Sequence, residues 1–339
     1  MMAATRRAVL MLAYVYTAVA RAQTGDCPTL HTINPQDTDP AITTALEDHY
    51  VWIDHCVDDN QKLLVFMPGA TQTPGAYQDV QRVAAAAGYH VIGLMYPNSV
   101  NLVTACGGLD KAATDACFED ARLEILDGTD RTSVVTVDVP DSIDNRLTKL
   151  VQYLATKFPE EGWERFLLGG APKWSQIAVS GHSQGGGEAA MIAKLNVTDR
   201  VVLFSAVPDT DTGLQSPTAP SWESSGHATP TDRYWGLAHD QDLRYAAIVK
   251  GWLALGMTVS VPPVAPEKSS PPYGFTQTLV TDLPSPTSNP HGSTALDAAT
   301  PLGPDGTTPA LTDAWQYLLT AGSEDDQGSD GGGFGGEGN

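Results

Sequence analysis

Two patterns of apolar and polar residues alternate along this chain: short runs that stay apolar at successive positions, and longer stretches in which apolar residues recur every three or four. The short runs are HYVWID (49–54), LLVFM (63–67), HVIGLMY (90–96), IAVSG (177–181), VVLFS (201–205), RYWGLA (233–238) and TQTLVT (276–281). Their length and their β-branched and aromatic content predict strands, and those without polar alternation predict strands covered on both faces. Helical periodicity predicts helices over 77–87, 142–158, 186–195, 245–255 and 310–319. In the second of these, Ile143, Leu147, Leu150, Val151, Leu154 and Phe158 form one core-facing stripe. Strands and helices in alternation predict an α/β fold: a mostly parallel central sheet with helices on both faces.

The two ends depart from this pattern. Arg6 and Arg7, an apolar run from Ala8 to Ala20 and the small-x-small triplet Ala20-Arg21-Ala22 predict a signal peptide over 1–22. The run is shorter than the roughly 18 to 20 residues that cross a bilayer, so no integral membrane segment is expected after its removal. The C-terminal stretch 321–339, AGSEDDQGSDGGGFGGEGN, is acidic, Gly-rich and has little to bury, and is expected to be a disordered tail. Between them, 23–320 reads as one large catalytic-sized domain without internal repeat or linker. A secreted, extracellular destination makes the four cysteines meaningful, because an even number in an oxidising compartment usually pairs. Cys106 and Cys117 bracket a short Gly-containing loop and are expected to form one disulfide, leaving Cys27 and Cys56 for the other.

Charge removes further classes. The formal net charge is −21, and −24 without the three arginines of residues 1–22, which include no acid. Nucleic acid and anionic membrane surfaces are therefore poor partners. No group of His, Cys, Asp and Glu has metal-ligand spacing and no phosphate-binding glycine loop is present, so neither metal nor cofactor is expected.

The most informative stretch is QIAVSGHSQGGGEAAMIAK (176–194). A strand, a tight turn Gly181-His182-Ser183-Gln184-Gly185 and an immediate helix make the context of a G-x-S-x-G nucleophile elbow. The flanking glycines let neighbouring backbone approach a serine in a strained conformation, and the helix N-terminus aims its dipole at the site. Ser183 is thus the candidate nucleophile. The same residues could also make a plain strand-to-helix turn.

GHSQGG after IAVS resembles the elbow of the α/β-hydrolase superfamily, particularly secreted lipases, esterases and cutinase-like enzymes. The element order is similar over the whole of 23–320. The set LVFMPG, GLMYPN, CF-x-x-x-R, GHSQGGG and NPHG resembles, more loosely, a group of secreted hydrolases whose substrate it does not identify. The resemblance implies a Ser-His-Asp triad in the chain order Ser, acid, His. Of the eight histidines, only His227, His239 and His291 follow the serine without adjoining it. His291, in Ser-Asn-Pro-His-Gly between the last strand and the last helix, lies where the superfamily's base loop lies. The acid is expected just past the 233–238 strand, where Asp242 is preferred to Asp240; Asp209 and Asp211, after the preceding strand, are the remaining alternatives, with Asp209 ranked next. Backbone N–H groups of Gln184 and of Ala70, or Thr71 in its place, are expected to form the oxyanion hole, although Pro68-Gly69 stands where the superfamily often has His-Gly. Trp222, in a Pro/Ser/Thr-rich insertion over 206–232, is expected either to line the substrate pocket or to anchor the loop to the core. The activity implied is hydrolysis of a small-molecule or polymeric carboxylic ester. A cutinase-like polyester hydrolase and a non-catalytic binding module on the same fold are the alternatives.

Overall fold

The computed structural model describes residues 27–322, so the expected signal peptide and nearly all of the expected tail lie outside the described residues. Eight strands form one sheet: β1 (Thr29–Ile33), β2 (His49–Ile53), β3 (Leu63–Met67), β4 (His90–Gly93), β5 (Ile177–His182), β6 (Arg200–Phe204), β7 (Tyr234–His239) and β8 (Thr278–Thr281). Their spatial order is β1-β2-β4-β3-β5-β6-β7-β8, antiparallel where β2 meets β1 and β4 and parallel from β4 to β8. This is an α/β-hydrolase fold.

The main helices are α1 (Gln78–Ala86), α2 (Lys111–Asp127), α3 (Ile143–Lys157), α4 (Gln184–Leu195), α5 (Tyr245–Ala254) and α6 (Thr312–Thr320). Alternation within the strands separates two cores. In β3, Leu63, Val65 and Met67 join the layer under α2, α3, α4 and α5, while Leu64 and Phe66 join the layer under α1 and α6. A strand covered on both faces must be apolar at every position, which is why LLVFM shows no polar alternation. The parallel strands all run toward one edge of the sheet, so the loops after β3, β5, β6, β7 and β8 gather there.

Two elements were not evident from hydrophobic pattern. Strand β1 is a short edge strand with only Ile33 buried. Helix α2 is the longest in the described chain, yet its inward positions include Thr114, Arg122 and Glu124 beside Phe118, Ala121 and Ile125, so no clean apolar stripe marks it. Its ends do carry sequence signals: the Asp110 side chain caps the N-terminus by accepting from the Ala113 N–H, and Gly128 closes the C-terminus with φ 76°. Disulfides join Cys27 to Cys56 and Cys106 to Cys117. The second ties α2 to the segment around Leu102. Among the described residues, no helix is long and apolar enough to cross a membrane.

Candidate active site

Strand β5 ends at His182 and α4 begins at Gln184, so the whole reversal falls on Ser183. Its φ of 55° and ψ of −118° are sterically costly for a side chain with a Cβ. Two backbone bonds hold it: the Ser183 N–H donates to the Phe204 carbonyl at 2.9 Å, and the Gly187 N–H donates to the Ser183 carbonyl at 3.1 Å. The turn closes only because two neighbours lack side chains. A Cβ at Gly181 would lie 2.3 Å from the Gly185 carbonyl carbon, and one at Gly185 would lie 2.2 Å from the Met67 oxygen. The elbow thereby packs directly on the end of β3.

The structure brings Ser183, His291 and Asp242 together. His291 Nε2 lies 2.8 Å from Ser183 Oγ, and His291 Nδ1 lies 2.6 Å from Asp242 Oδ2. A carboxylate only accepts, so Nδ1 carries the proton and Nε2 is left with its lone pair facing the hydroxyl. Asp242 is almost fully buried. Burial pushes its carboxyl upward, but the hydrogen bond and charge of His291, the Arg244 N–H and the Arg244 charge together hold it below the ordinary carboxylate range. The residue is fixed from its other oxygen as well, where Oδ1 accepts the Arg244 N–H at 2.9 Å. The loop that carries His291 is pinned by Asn289, whose side chain accepts the Gly292 N–H at 3.0 Å.

The competing acids sit elsewhere. Asp240 is exposed and its carboxylate lies 3.3 Å from His239 Nδ1, not near His291. Asp209 is buried, and both of its oxygens are taken by Arg122: Nε donates at 2.8 Å and Nη2 at 2.6 Å.

A narrow cleft opens beside Ser183, with Ala70, Asn101, Gln184 and Arg244 in its walls. The first bond of α4 belongs to Gly187, so the Gln184 N–H lies outside the helical ladder and beside Ser183. In the loop after β3, the Gly69 N–H donates to Tyr77 Oη at 3.2 Å and the Thr71 N–H to the Asn98 carbonyl at 2.9 Å. Thr71 is therefore occupied. Ala70 has the N–H left over between them, on the cleft wall.

Tyr77 and His182 are part of the site although neither was singled out by residue pattern. Burial holds the His182 imidazole down to about 3, so it is neutral. Its Nε2 donates to the His291 carbonyl at 2.8 Å, which leaves Nδ1 to accept from the Tyr77 hydroxyl at 3.0 Å. Because Tyr77 in turn accepts from Gly69, one chain of hydrogen bonds runs from the loop after β3 through the elbow to the His291 loop. Chain order excludes His182 as the base, and that exclusion hid its structural part; the signal was its place inside the elbow itself.

Arg122 is a third unforeseen residue, present in the sequence only as the last position of CF-x-x-x-R. It is fully buried, donates from Nη1 to Glu188 at 2.7 Å and to the Gln184 carbonyl at 3.2 Å, and pairs with Asp209. Trp222 does not line the cleft. It is fully buried in the core, with the Arg122 guanidinium 5.5 Å from its ring, because the insertion folds a short helix, Ser221–Ser224, against α2 and α5. Of the two roles open to it, the anchor is the one the packing matches.

Comparison with solved structures finds similarity to two crystal structures of variants of an esterase called rPPE. The identities are 14% and 13%, the TM-scores 0.42 and 0.41, and the alignments cover 86% of this chain and 81% and 80% of the other chains. No protein-family description matches the chain, and no curated protein matches it in sequence.

Proposed function

We propose that this protein is a secreted serine hydrolase that cleaves carboxylic esters through an acyl-enzyme. One observation carries the reading: Ser183, raised on a strained elbow, lies 2.8 Å from an imidazole whose far nitrogen lies 2.6 Å from a buried carboxylate. Ser183 Oγ attacks the ester carbonyl carbon while His291 Nε2 takes its proton, and the carbonyl oxygen becomes the oxyanion. The N–H groups of Gln184 and Ala70 stabilise that oxyanion. Collapse expels the alcohol, which receives the proton from His291, and water then hydrolyses the acyl-enzyme by the same steps. Asp242 holds the imidazole in the required tautomer and balances its charge when protonated. No step calls for a cofactor.

The N-terminal pattern of Arg6, Arg7 and the apolar run, with two disulfides, supports export.

A fluorophosphonate probe tests the chemistry. It should label Ser183 alone in the folded protein, and Ser183→Ala should lose labelling and ester turnover while keeping its melting temperature. Labelling at another serine, or none, overturns the reading. A sharp loss of stability in Ser183→Ala instead marks the turn as structural.

A further inference from the structure

The cleft beside Ser183 holds a cation that no anion among the described residues answers. Arg244 lines it, half-buried, immediately before α5. Elsewhere in the described chain arginines are engaged. Arg82, Arg131, Arg146 and Arg165 pair with Asp79, Asp127, Asp141 and Asp59, and Arg122 with Asp209 and Glu188. Arg200 and Arg233 donate to main-chain carbonyls. Among the described residues, the Arg244 guanidinium has no hydrogen bond and no ion pair. With 40 acidic against 19 lysine and arginine residues in the chain, acidic partners are plentiful, so this isolation is a property of the place.

Two buried acids near it are spoken for. Asp242 gives one oxygen to His291 and the other to the main-chain N–H of Arg244 itself. Asp209, on the same cleft wall, gives both to Arg122. The Arg244 charge is nevertheless close enough to the reacting groups to help depress the titration of His182 and Asp242. A half-buried guanidinium with five unclaimed donors in a planar fork is matched by a carboxylate, which it binds through two parallel hydrogen bonds.

We infer that Arg244 anchors a carboxylate of the substrate, so that the ester hydrolysed at Ser183 bears an acidic group on its acyl or its alcohol part. This rests on the serine hydrolase reading above and narrows its substrate class. The anchor adds no chemical step; it holds the carboxylate while Ser183 attacks the ester carbonyl a few atoms away. It also fixes the substrate's orientation relative to Ser183.

Two matched pairs of esters test this on the purified protein. p-Nitrophenyl hemisuccinate against p-nitrophenyl butyrate places the carboxylate on the acyl side; acetoxyacetate against propyl acetate, followed by pH-stat, places it on the alcohol side. The ratio of kcat/KM, anionic over neutral, is compared in wild type, Arg244→Gln and Arg244→Lys, which cancels the intrinsic reactivity of each ester. In at least one pair the ratio should fall by about tenfold or more in Arg244→Gln, mainly through KM, with Arg244→Lys between the two. Which pair responds identifies the side that carries the acid. Equal ratios in wild type and Arg244→Gln for both pairs overturn the inference. So does a parallel loss on anionic and neutral esters with a displaced pH profile, which makes Arg244 a positioning residue for Asp242. Fluorophosphonate labelling separates the two levels: labelled Ser183 with unchanged ratios removes only the anchor, whereas unlabelled Ser183 and no ester turnover remove both.

Discussion

Asp242 and Asp209 occupy equivalent stations: each follows a parallel strand, lies within the same end of the sheet and is buried from solvent. Their partners differ. Asp242 meets an imidazole at the cleft, a group that can take and return a proton, while Asp209 meets a guanidinium that cannot. Around Asp242 the polar atoms lead through His291 to Ser183, the proposed nucleophile. Around Asp209 they point at each other: Arg122 bridges Asp209, Glu188 and the Gln184 carbonyl, joining α2, α4 and the loop after β6 beneath the elbow. A carboxylate next to a nucleophile is thus no guide to chemistry until its counter-charge is known.

The largest expected effect tests that division on the cleft side. Asp242→Asn should keep the fold and lower kcat on a neutral ester by about four orders of magnitude, because the amide stabilises the wrong imidazole tautomer and cannot balance the imidazolium. Asp240→Asn, exposed and directed at His239, should leave kcat within about twofold. Kinetics of both variants at one pH, with circular dichroism for folding, check this. A near-native Asp242→Asn ends the proposed role.

On the buried side the loss should fall on stability. Asp209→Asn leaves Arg122 with a neutral partner in a dry site, where breaking a charge pair costs about 3 to 5 kcal/mol. A melting temperature lower by on the order of 10 °C follows for a domain of this size. Thermal denaturation measures it. Unchanged melting with collapsed turnover would move the acid from Asp242 to Asp209 and erase the contrast between them.

That contrast was out of reach of the sequence, for a physical reason. Strands such as 63–67 announce themselves because burial on both faces demands apolar residues throughout, and the elbow announces itself because close backbone contact demands Gly181 and Gly185. Asp209 and Asp242, by comparison, both read as an aspartate after a strand. What separates them is Arg122, 87 positions from Asp209 on a helix whose buried polar residues conceal its period. Trp222 shows the same limit: a tryptophan in a loop can line an opening or fill a core, and only the Arg122 cluster it packs against distinguishes the two. Residue type, order and the resemblance single out Ser183 and His291, and only the resemblance ranks Asp242 above Asp209, whereas Tyr77 and His182 make contacts that no spacing encodes.

Glu188 gives a smaller, pH-dependent effect. Burial drives its carboxyl up to about 8, against the opposing pull of Arg122. A raised folded-state value means that its favourable contribution is complete below about 4.5, the unfolded value, and is lost as pH rises toward about 8, since the folded state must then ionise it at a cost. Glu188→Gln keeps an oxygen for Arg122 and cannot ionise. Wild type should therefore lose a few kcal/mol more than Glu188→Gln between pH 5 and 8. Melting temperatures across that range decide it, and parallel curves for the two proteins would deny Glu188 any part in the pH response.

The smallest effect belongs to Tyr77, the residue that connects the loop of Ala70, the proposed oxyanion donor, to the loop carrying His291. Tyr77→Phe keeps the buried ring, which packs on Phe66 with centroids 5.0 Å apart, and removes only the hydroxyl. That strands the Gly69 N–H and His182 Nδ1 without partners in a dry setting, at about 1 to 3 kcal/mol. The consequence for catalysis comes through geometry. With the link cut, the Gly69–Ala70 segment and the His291 carbonyl are held separately, and the Ala70 N–H is less firmly aimed at the position of the oxyanion. Loss of one oxyanion donor costs about a hundredfold to a thousandfold in kcat, so loosening one should cost about tenfold or less, with KM little changed. A kcat loss together with a lower melting temperature fits this coupling. If Tyr77→Phe lowers stability and leaves kcat intact, the hydrogen-bonded chain belongs to the buried scaffold with Arg122 and Asp209, and the boundary between the two regions must be drawn on the cleft side of His182.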